Sequence, residues 1–382
     1  MKTVTILGST GAVGVQVLNS IAKHPDRFKV VGLSAYSNEN LLRQQITKFN
    51  PTHYYFPGGA VEVQSSLFDF LEDEKNTKCL GSLEELAEIP ADIVVSAVSG
   101  IAGLWSAVAV LKRGGTIAIA NKESIVAAGR HLKALEKKYG GKIIPLDTEH
   151  SAIASCLEGE NDKYIKKLIL TASGGALRDI PKSQFAKVTP DQALAHPVWK
   201  MGKKITIDSA TLFNKGLEII EAMHLFEVPE NKIDVVIHRE SVIHSLVEFS
   251  DNSMKALLST PNITLSIDRA LYYPEKNTNS VSSLSLTEVG SLTFEAPDYD
   301  KFPCLSIARE MAKKGDGACI AVSAADEVLV EQYLKYKIKL TDIPTKLEKV
   351  LSKYEKIGNV NLDDVTRIDT EARKYTYSIG AK

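Results

Sequence analysis

Short apolar runs alternate with amphipathic stretches through the first 150 positions. Val4–Leu7 is an apolar run that stops in a glycine turn, and a helical pattern follows from Val13 to Ala22. Phe28–Ala35 reads as a second strand and Leu41–Phe49 as a helix. Ile93–Ala97 and Thr116–Ala120 read as further strands, with a helix from Gly103 to Arg113 between them, and Lys142–Leu146 as another strand. This alternation predicts an α/β fold with a doubly wound parallel sheet. From Ser151 to about Asp268 the pattern changes to a mixed α/β region, with strands expected at Lys167–Thr171, Val235–Ile237 and Ser245–Phe249. The polar, serine-rich stretch Asn277–Ser291 reads as a linker. After Phe302 the period is helical, over Cys304–Lys314, Ala318–Leu334, Ile343–Tyr354 and Asn361–Tyr375, which predicts a small bundle. The expected domains are 1–150, 151–276, a linker over 277–301, and a helical domain over 302–382.

Composition narrows the class. A chain of 382 residues exceeds what one core usually serves. The net charge of −1 gives no basic field for nucleic acid or an anionic membrane. The cysteines Cys79, Cys156, Cys304 and Cys319 are far apart and form no C-x-x-C pair, which argues against a disulfide framework or a zinc knuckle. The N-terminus runs straight into a strand with no cleavable signal, and no apolar run reaches membrane-spanning length. A cytoplasmic protein with neither nucleic-acid nor membrane partners is expected.

Two motifs carry chemistry. Gly8-Ser9-Thr10-Gly11-Ala12-Val13-Gly14 follows the first strand and opens the first helix. Glycines there let backbone N–H groups approach a pyrophosphate, and the helix N-terminus adds favourable partial charge. The second strand ends Ala35-Tyr36-Ser37-Asn38 with no carboxylate at its tip, so Ser37 and Asn38 can face a 2′-phosphate and NADP is preferred. The second motif is carboxylate. In an extended chain Asp147 and Glu149 point to one side, and paired carboxylates repel unless a cation or proton separates them. Hard oxygen donors suit magnesium or manganese. If Asp208–Glu221 is helical, Asn214, Lys215 and Glu218 share one face and Glu221 extends it, while Leu217 and Ile220 pack elsewhere. By spacing alone, solvated carboxylates and a surface Lys–Glu pair remain alternatives.

The chain resembles the 1-deoxy-D-xylulose 5-phosphate reductoisomerase family almost end to end. The similarity runs through Gly8-Ser9-Thr10-Gly11, Ala120-Asn121-Lys122-Glu123-Ser124, Asp147-Thr148-Glu149-His150-Ser151-Ala152 and Thr171-Ala172-Ser173-Gly174-Gly175. It continues through His196-Pro197-Val198-Trp199-Lys200-Met201-Gly202, Asp208–Glu221, Val242-Ile243-His244-Ser245 and Phe302-Pro303-Cys304-Leu305. The resemblance implies an N-terminal Rossmann-like domain, a central catalytic and dimerisation domain, a C-terminal helical bundle and a homodimer. It implies that Asp147, Glu149 and Glu218 bind Mg2+ or Mn2+, with Co2+ a further candidate. Ser173, Ser209, Asn214, Lys215 and His196 would bind the sugar phosphate, Thr148 would reach substrate, and Lys122 would contact its reacting end. Thr10, Gly11, Ala12, Val13, Tyr36, Ser37, Asn38, Asn121, Glu123 and Gly202 would contact NADPH. Residues 196–204 would form a mobile lid, with Trp199 closing over the sugar. The implied reaction is isomerisation of 1-deoxy-D-xylulose 5-phosphate followed by reduction to 2-C-methyl-D-erythritol 4-phosphate.

Several positions depart from the family pattern. Thr148 stands where serine is common. Tyr36 and Ser37 replace a glycine and a basic residue, which weakens the side-chain case for a 2′-phosphate. Ile263 stands in place of a methionine near the lid, where it would alter pocket shape, and Ser323-Ala324-Ala325-Asp326-Glu327 replaces Asn-Ala-Ala-Asn-Glu. A semialdehyde dehydrogenase would need a cysteine nucleophile, and Cys156 has no evident histidine partner. A non-catalytic sensor would not need three metal-binding carboxylates and a lid. A family member acting on another ketose phosphate remains the third alternative.

Overall fold

The computed structural model describes residues 1–61 and 77–380. Packing divides the chain into two compact units. The first comprises residues 1–121, 132–147 and 263–280; the second comprises 122–131, 148–262 and 281 onward.

The first unit is built on a sheet of β1 (Lys2–Leu7), β2 (Phe28–Ser34), β3 (His53–Tyr55), β4 (Lys78–Cys79), β5 (Ile93–Ser96), β6 (Thr116–Ile119) and β7 (Lys142–Pro145). Their order is β4-β3-β2-β1-β5-β6-β7, with every pairing parallel. Parallel strands require crossovers, and α1 (Ala12–Lys23), α2 (Glu39–Phe49), α3 (Leu83–Glu88) and α4 (Leu104–Lys112) lie in four of them. The strand order reverses between β1 and β5, the point at which open α/β sheets bind ligands beyond their carboxyl ends. The doubly wound sheet expected from the sequence is therefore present.

Val4, Ile6, Val17, Leu33, Leu42 and Val95 form part of this unit's core. The helix Thr264–Tyr272 joins it through Ile267, Ala270, Leu271 and Tyr272. Lys2 Nζ donates to the Tyr272 carbonyl at 3.0 Å and the Tyr273 carbonyl at 2.6 Å, and Ser20 Oγ bonds Asp268. Packing thus groups residues 263–280 with the first unit, although the sequence reading placed most of them before the linker. Ile263 packs against this same core.

The helix α5 (Lys122–Tyr139), absent from the sequence reading, changes direction at Ala128, where φ is −145° and ψ 19°. The second unit contains α6 (Thr148–Cys156), α7 (Pro190–Leu194), α8 (Lys203–Thr211), α9 (Phe213–Leu225) and the strands β8 (Ile165–Ala172), β9 (Ile233–Ile237), β10 (Ile243–Phe249) and β11 (Met254–Leu258). The sheet order is β11-β10-β8-β9, with β8 and β9 parallel and β10 antiparallel to both neighbours.

In chain order α10 is the helix Thr264–Tyr272. A short α11 (Leu286–Val289) interrupts the expected linker, and α12 (Pro303–Lys314), α13 (Asp316–Leu334), α14 (Asp342–Tyr354) and α15 (Val365–Gly380) follow. The expected bundle is present, with α13 packing against the other three helices. Buried residues run along most of α13, as its central position requires.

Candidate active site

The glycine loop is shaped by close backbone approach. Gly8 has φ +82°, and a Cβ there would lie 2.6 Å from the Ala97 carbonyl oxygen. A Cβ on Gly14 would lie 2.3 Å from the Gly8 carbonyl oxygen. Ser9 is buried: its N–H and Oγ both donate to the Ser34 carbonyl, and its side chain also bonds Gln45 Oε1 at 2.6 Å. No side chain caps α1 at Gly11, so its first N–H groups stay available to an anion. Thr10 and Val13 are half-buried, and Gly11 and Ala12 are exposed. Tyr36 is 85% exposed. Asn38 Oδ1 accepts the Leu41 N–H and caps α2, so that oxygen already has a partner. The Asn121 amide donates to the carbonyls of Val98 and Gly100 and fixes the turn after β6.

In the second unit, Asp208–Glu221 is not one helix. Leu212, at φ 59°, ends α8 and caps α9. That break places Asp208 and Ser209 on α8, and Asn214, Lys215 and Glu218 together on α9. Leu217 and Ile220 are fully buried, as expected. The extended geometry expected for Asp147–Glu149 is also replaced. Helix α6 begins at Thr148, so Glu149 sits in a first helical turn, where the helix N-terminus favours a carboxylate.

The charged groups of this unit converge. Lys122, the first residue of α5, donates to Asn214 Oδ1 at 2.7 Å and lies 3.5 Å from Glu218 Oε1 and 4.0 Å from Glu221 Oε2. Lys215 Nζ is 2.7 Å from Glu149 Oε1 and also bonds Glu218. Asn214 donates to the other Glu218 oxygen, and Thr148 Oγ1 donates to Glu149 Oε2 at 2.6 Å. Lys122, Lys215, Glu218 and Glu221 are all buried. Burial pushes the Lys215 ammonium down, but Glu149 and Glu218 push it further up, so it stays charged. His150 Nε2 donates to the Glu218 carbonyl at 2.9 Å, and its other nitrogen lies 3.7 Å from Glu221.

A metal fits this donor set. Carboxylate oxygens of Glu149 and Glu218 lie within 4.8 Å of each other and already share one cation, the Lys215 ammonium. All are hard oxygen donors, as Mg2+ or Mn2+ prefers. Asp147 immediately precedes Thr148 in the chain.

A second group lies around His196. Ser173 Oγ and His196 Nε2 are 3.0 Å apart, and Gly175 N–H donates to Ser173 Oγ at 3.2 Å. His196 Nδ1 accepts the Val198 and Trp199 N–H groups, so Nε2 carries the proton. Burial, and then the Arg178 guanidinium, push its pKa down to about 4, so it is a neutral donor. Ser209 meets this loop through its backbone: a Cβ on Gly175 would lie 2.3 Å from the Ser209 carbonyl oxygen. The Trp199 ring lies 6.4 Å from that of His244. Residues 195–202 carry no regular structure, and helix α8 begins at Lys203, so the expected lid span ends inside a helix. Glu123 and Gly202, both expected at the cofactor, sit respectively at the start of α5, 3.3 Å from Lys204, and at the N-cap of α8. The sequence reading missed this buried Lys204 cluster, because Glu123, Asp208 and Asp326 lie far apart in the chain.

The doubly wound unit and its glycine loop define the class, a dinucleotide-dependent oxidoreductase. Three family models match the chain. They describe 1-deoxy-D-xylulose 5-phosphate reductoisomerase over residues 4–129, its C-terminal domain over 143–226, and a DXP reductoisomerase C-terminal domain over 258–375. The enzyme of this name from Thermoanaerobacter pseudethanolicus is 45% identical over 379 residues, covering 98% of each chain. A Bacillus thuringiensis relative is 43% identical over 382 residues, covering 98% of this chain and 97% of its own. A crystal structure of DOX-P reductoisomerase with NADPH, fosmidomycin and magnesium superimposes with a TM-score of 0.91 at 39% identity, covering 100% of this chain and 98% of the other. The Zymomonas mobilis enzyme with NADPH gives 0.88 at 36%, covering 99% of each. The chain belongs to the 1-deoxy-D-xylulose 5-phosphate reductoisomerase family. It is an NADPH- and divalent-metal-dependent oxidoreductase that converts 1-deoxy-D-xylulose 5-phosphate to 2-C-methyl-D-erythritol 4-phosphate in isoprenoid precursor biosynthesis.

Proposed function

We propose that Glu149, Glu218 and Asp147 hold the divalent ion and that Lys122, Asn214 and Lys215 arrange the substrate around it. The observation that carries this reading is the convergence of Lys122, Asn214, Lys215 and Glu218 with Glu149 on one buried point. When bound, the ion supplies Lewis acidity that polarises the carbonyl and hydroxyl oxygens of the ketose. Lys122 presents an ammonium to the reacting end, where negative charge on oxygen is stabilised without reorganisation. Thr148 orients Glu149 and reaches substrate. Ser173, Ser209, Asn214, Lys215 and neutral His196 bind the phosphate, and its binding energy orients the sugar and orders residues 196–202 as a lid under Trp199. In the first unit, the Gly8–Gly14 loop with Thr10, Gly11, Ala12 and Val13 takes the NADPH pyrophosphate. Tyr36, Ser37 and Asn38 face its adenosine end, Asn121 holds the turn beside it, and Glu123 and Gly202 complete the set. The catalytic unit is a cytoplasmic homodimer. Among the described residues no helix is long and apolar enough to cross a membrane.

The test is a coupled measurement. NADPH absorbance is followed with 1-deoxy-D-xylulose 5-phosphate, with and without magnesium, for the parent chain and Lys122→Met. The parent is expected to turn over only with metal, and the variant to lose turnover while binding NADPH normally. Metal-independent turnover, or a fully active variant, contradicts the assignment. Light scattering on the purified chain checks the dimer.

A further inference from the structure

Away from the reacting groups, the second unit buries a separate set of charges. Lys204, in the first turn of α8, lies 2.6 Å from Asp208 Oδ2, 3.0 Å from Asp326 Oδ2 and 3.3 Å from Glu123 Oε1. Asp208 is on α8, Asp326 on α13 and Glu123 on α5. The Asp208 and Asp326 side chains are each 1% exposed. Three carboxyls thus meet one ammonium. The neighbouring Arg373 is committed to Glu327 at 3.0 Å and Asp369 at 2.8 Å, so it supplies no free charge. Cys304, on α12, also faces the pair, and burial keeps its thiol neutral.

Two unpaired buried anions would cost several kcal/mol each, so a group in this position takes up a proton instead. The geometry agrees. Asp208 Oδ1 and both Asp326 oxygens are buried with no aligned donor, and the two side chains crowd the same ammonium. Two carboxylates cannot donate to each other; one carboxylic acid and one carboxylate can.

We propose that Asp208 and Asp326 share one proton above the Lys204 ammonium, and that this pair fixes α8 so that Asp326 is a positioning residue for substrate binding. Helix α8 carries Ser209 next to Asp208, begins where the residues 195–202 end, and presses the Ser209 carbonyl against Gly175, two residues from Ser173. A small shift of α8 therefore moves Ser209 and the Ser173 loop together. Asp326 touches neither substrate nor cofactor in this scheme and acts through Lys204 and Asp208. Burial raises the pKa of both Asp208 and Asp326, and Lys204 and the hydrogen bonds only partly oppose it. The proton's contribution is complete below the ordinary carboxylate pKa and is lost as pH rises through the raised value in the fold. Glu123, Glu327, Lys204, Arg373, Asp369 and Cys304 are the charged and titratable groups facing the pair from α5, α8, α12, α13 and α15. The proposal rests on the substrate assignments above.

The experiment compares the full-length parent, Asp326→Asn and Asp326→Ala. It measures KM for 1-deoxy-D-xylulose 5-phosphate, KM for NADPH and kcat from pH ~6 to ~9, together with thermal midpoints over the same range. An asparagine amide can donate to Asp208 and replaces the shared proton permanently. Asp326→Ala is expected to raise the substrate KM about 10-fold, with kcat within about twofold of the parent and the NADPH KM changed less than the substrate KM. Asp326→Asn is expected to restore the substrate KM at neutral pH. It should also remove the parent's rise in that KM, and its fall in midpoint, as pH increases through the raised carboxyl pKa. An Asp326→Asn profile parallel to the parent's overturns the proposal, as does an Asp326→Ala chain with parental KM or with all three constants changed alike. If Asp326→Ala does not fold, the Asp326→Asn profile against the parent decides. If the parent fails to turn over this substrate, the functional assignment has failed, and the midpoint comparison still decides whether the pair shares a proton.

Discussion

Glu218→Gln removes one negative charge from a side chain that is 1% exposed and keeps its volume and one carbonyl acceptor. At an effective dielectric of about 20, two unit charges 4 Å apart interact by about 4 kcal/mol. The parent carboxylate meets Lys215 and lies 3.5 Å from Lys122, so part of its field is spent on ammonium groups when no ion is bound. A divalent ion gains about one charge more from Glu218 than a lysine does, and the glutamine oxygen recovers part of that as a neutral ligand. The net loss is about 3 kcal/mol, or roughly 100-fold in magnesium affinity, at about 1.4 kcal/mol per tenfold. The assay is the magnesium dependence of NADPH oxidation at saturating substrate, with NADPH binding measured separately. The half-saturating magnesium concentration should rise by about that factor, turnover should fall even at high magnesium, and NADPH affinity should hold within about twofold. An unchanged magnesium requirement with parental turnover would remove Glu218 from the metal site.

The other predictions concern the phosphate, the glycine loop and the histidines. Lys215→Ala should raise the substrate KM by more than about 100-fold, since it removes a charge-assisted contact and leaves Glu149 and Glu218 facing each other; a parental KM refutes the phosphate role. Gly14→Ala puts a methyl 2.3 Å from the Gly8 carbonyl oxygen. It should cost about 1–3 kcal/mol of stability and weaken NADPH binding at least tenfold, while substrate-analogue binding to the second unit survives; equal loss of both would point to general unfolding. His196 and His244 are both pushed down to about 4, mainly by burial. A histidine held neutral in the fold stabilises above its ordinary pKa of 6.5 and loses that contribution as pH falls from there towards 4. The thermal midpoint should therefore fall over that interval, less steeply in His196→Gln and His244→Asn, and substrate affinity should show no histidine titration between pH ~6 and ~8. A midpoint flat from pH 6.5 to 4 contradicts the neutral assignment.

Local pattern carried much of this protein. The short apolar runs and the helical repeats placed β1, β2, β5, β6, β7 and the four C-terminal helices, because a parallel strand covered on both faces reads as a continuous apolar run and a packed helix as a 3.6-residue repeat. The glycine spacing placed the dinucleotide loop, since Gly14 meets the Gly8 and Ser9 backbone within the motif itself, while the Ala97 backbone that Gly8 meets lies after β5 and is not in the pattern. The carboxylate motifs were legible as residue types but not as a geometry. Their meeting depends on Leu212 adopting a left-handed conformation and on α6 starting at Thr148. Long-range packing selects both, against the local expectation of one continuous helix and an extended chain.

Tertiary structure alone decided the rest. Lys122 reaches Asn214 and Glu218 only because α5 begins beside α9, and neither sequence distance nor period encodes that approach. Thr264–Tyr272 returned to the first unit because Ile267, Leu271 and Tyr272 complete a core formed some 200 residues earlier. The proton assigned to Asp208 and Asp326 depends on three helices crowding carboxyls around one ammonium. A sequence records those charges individually, and only burial makes their sum a free-energy cost.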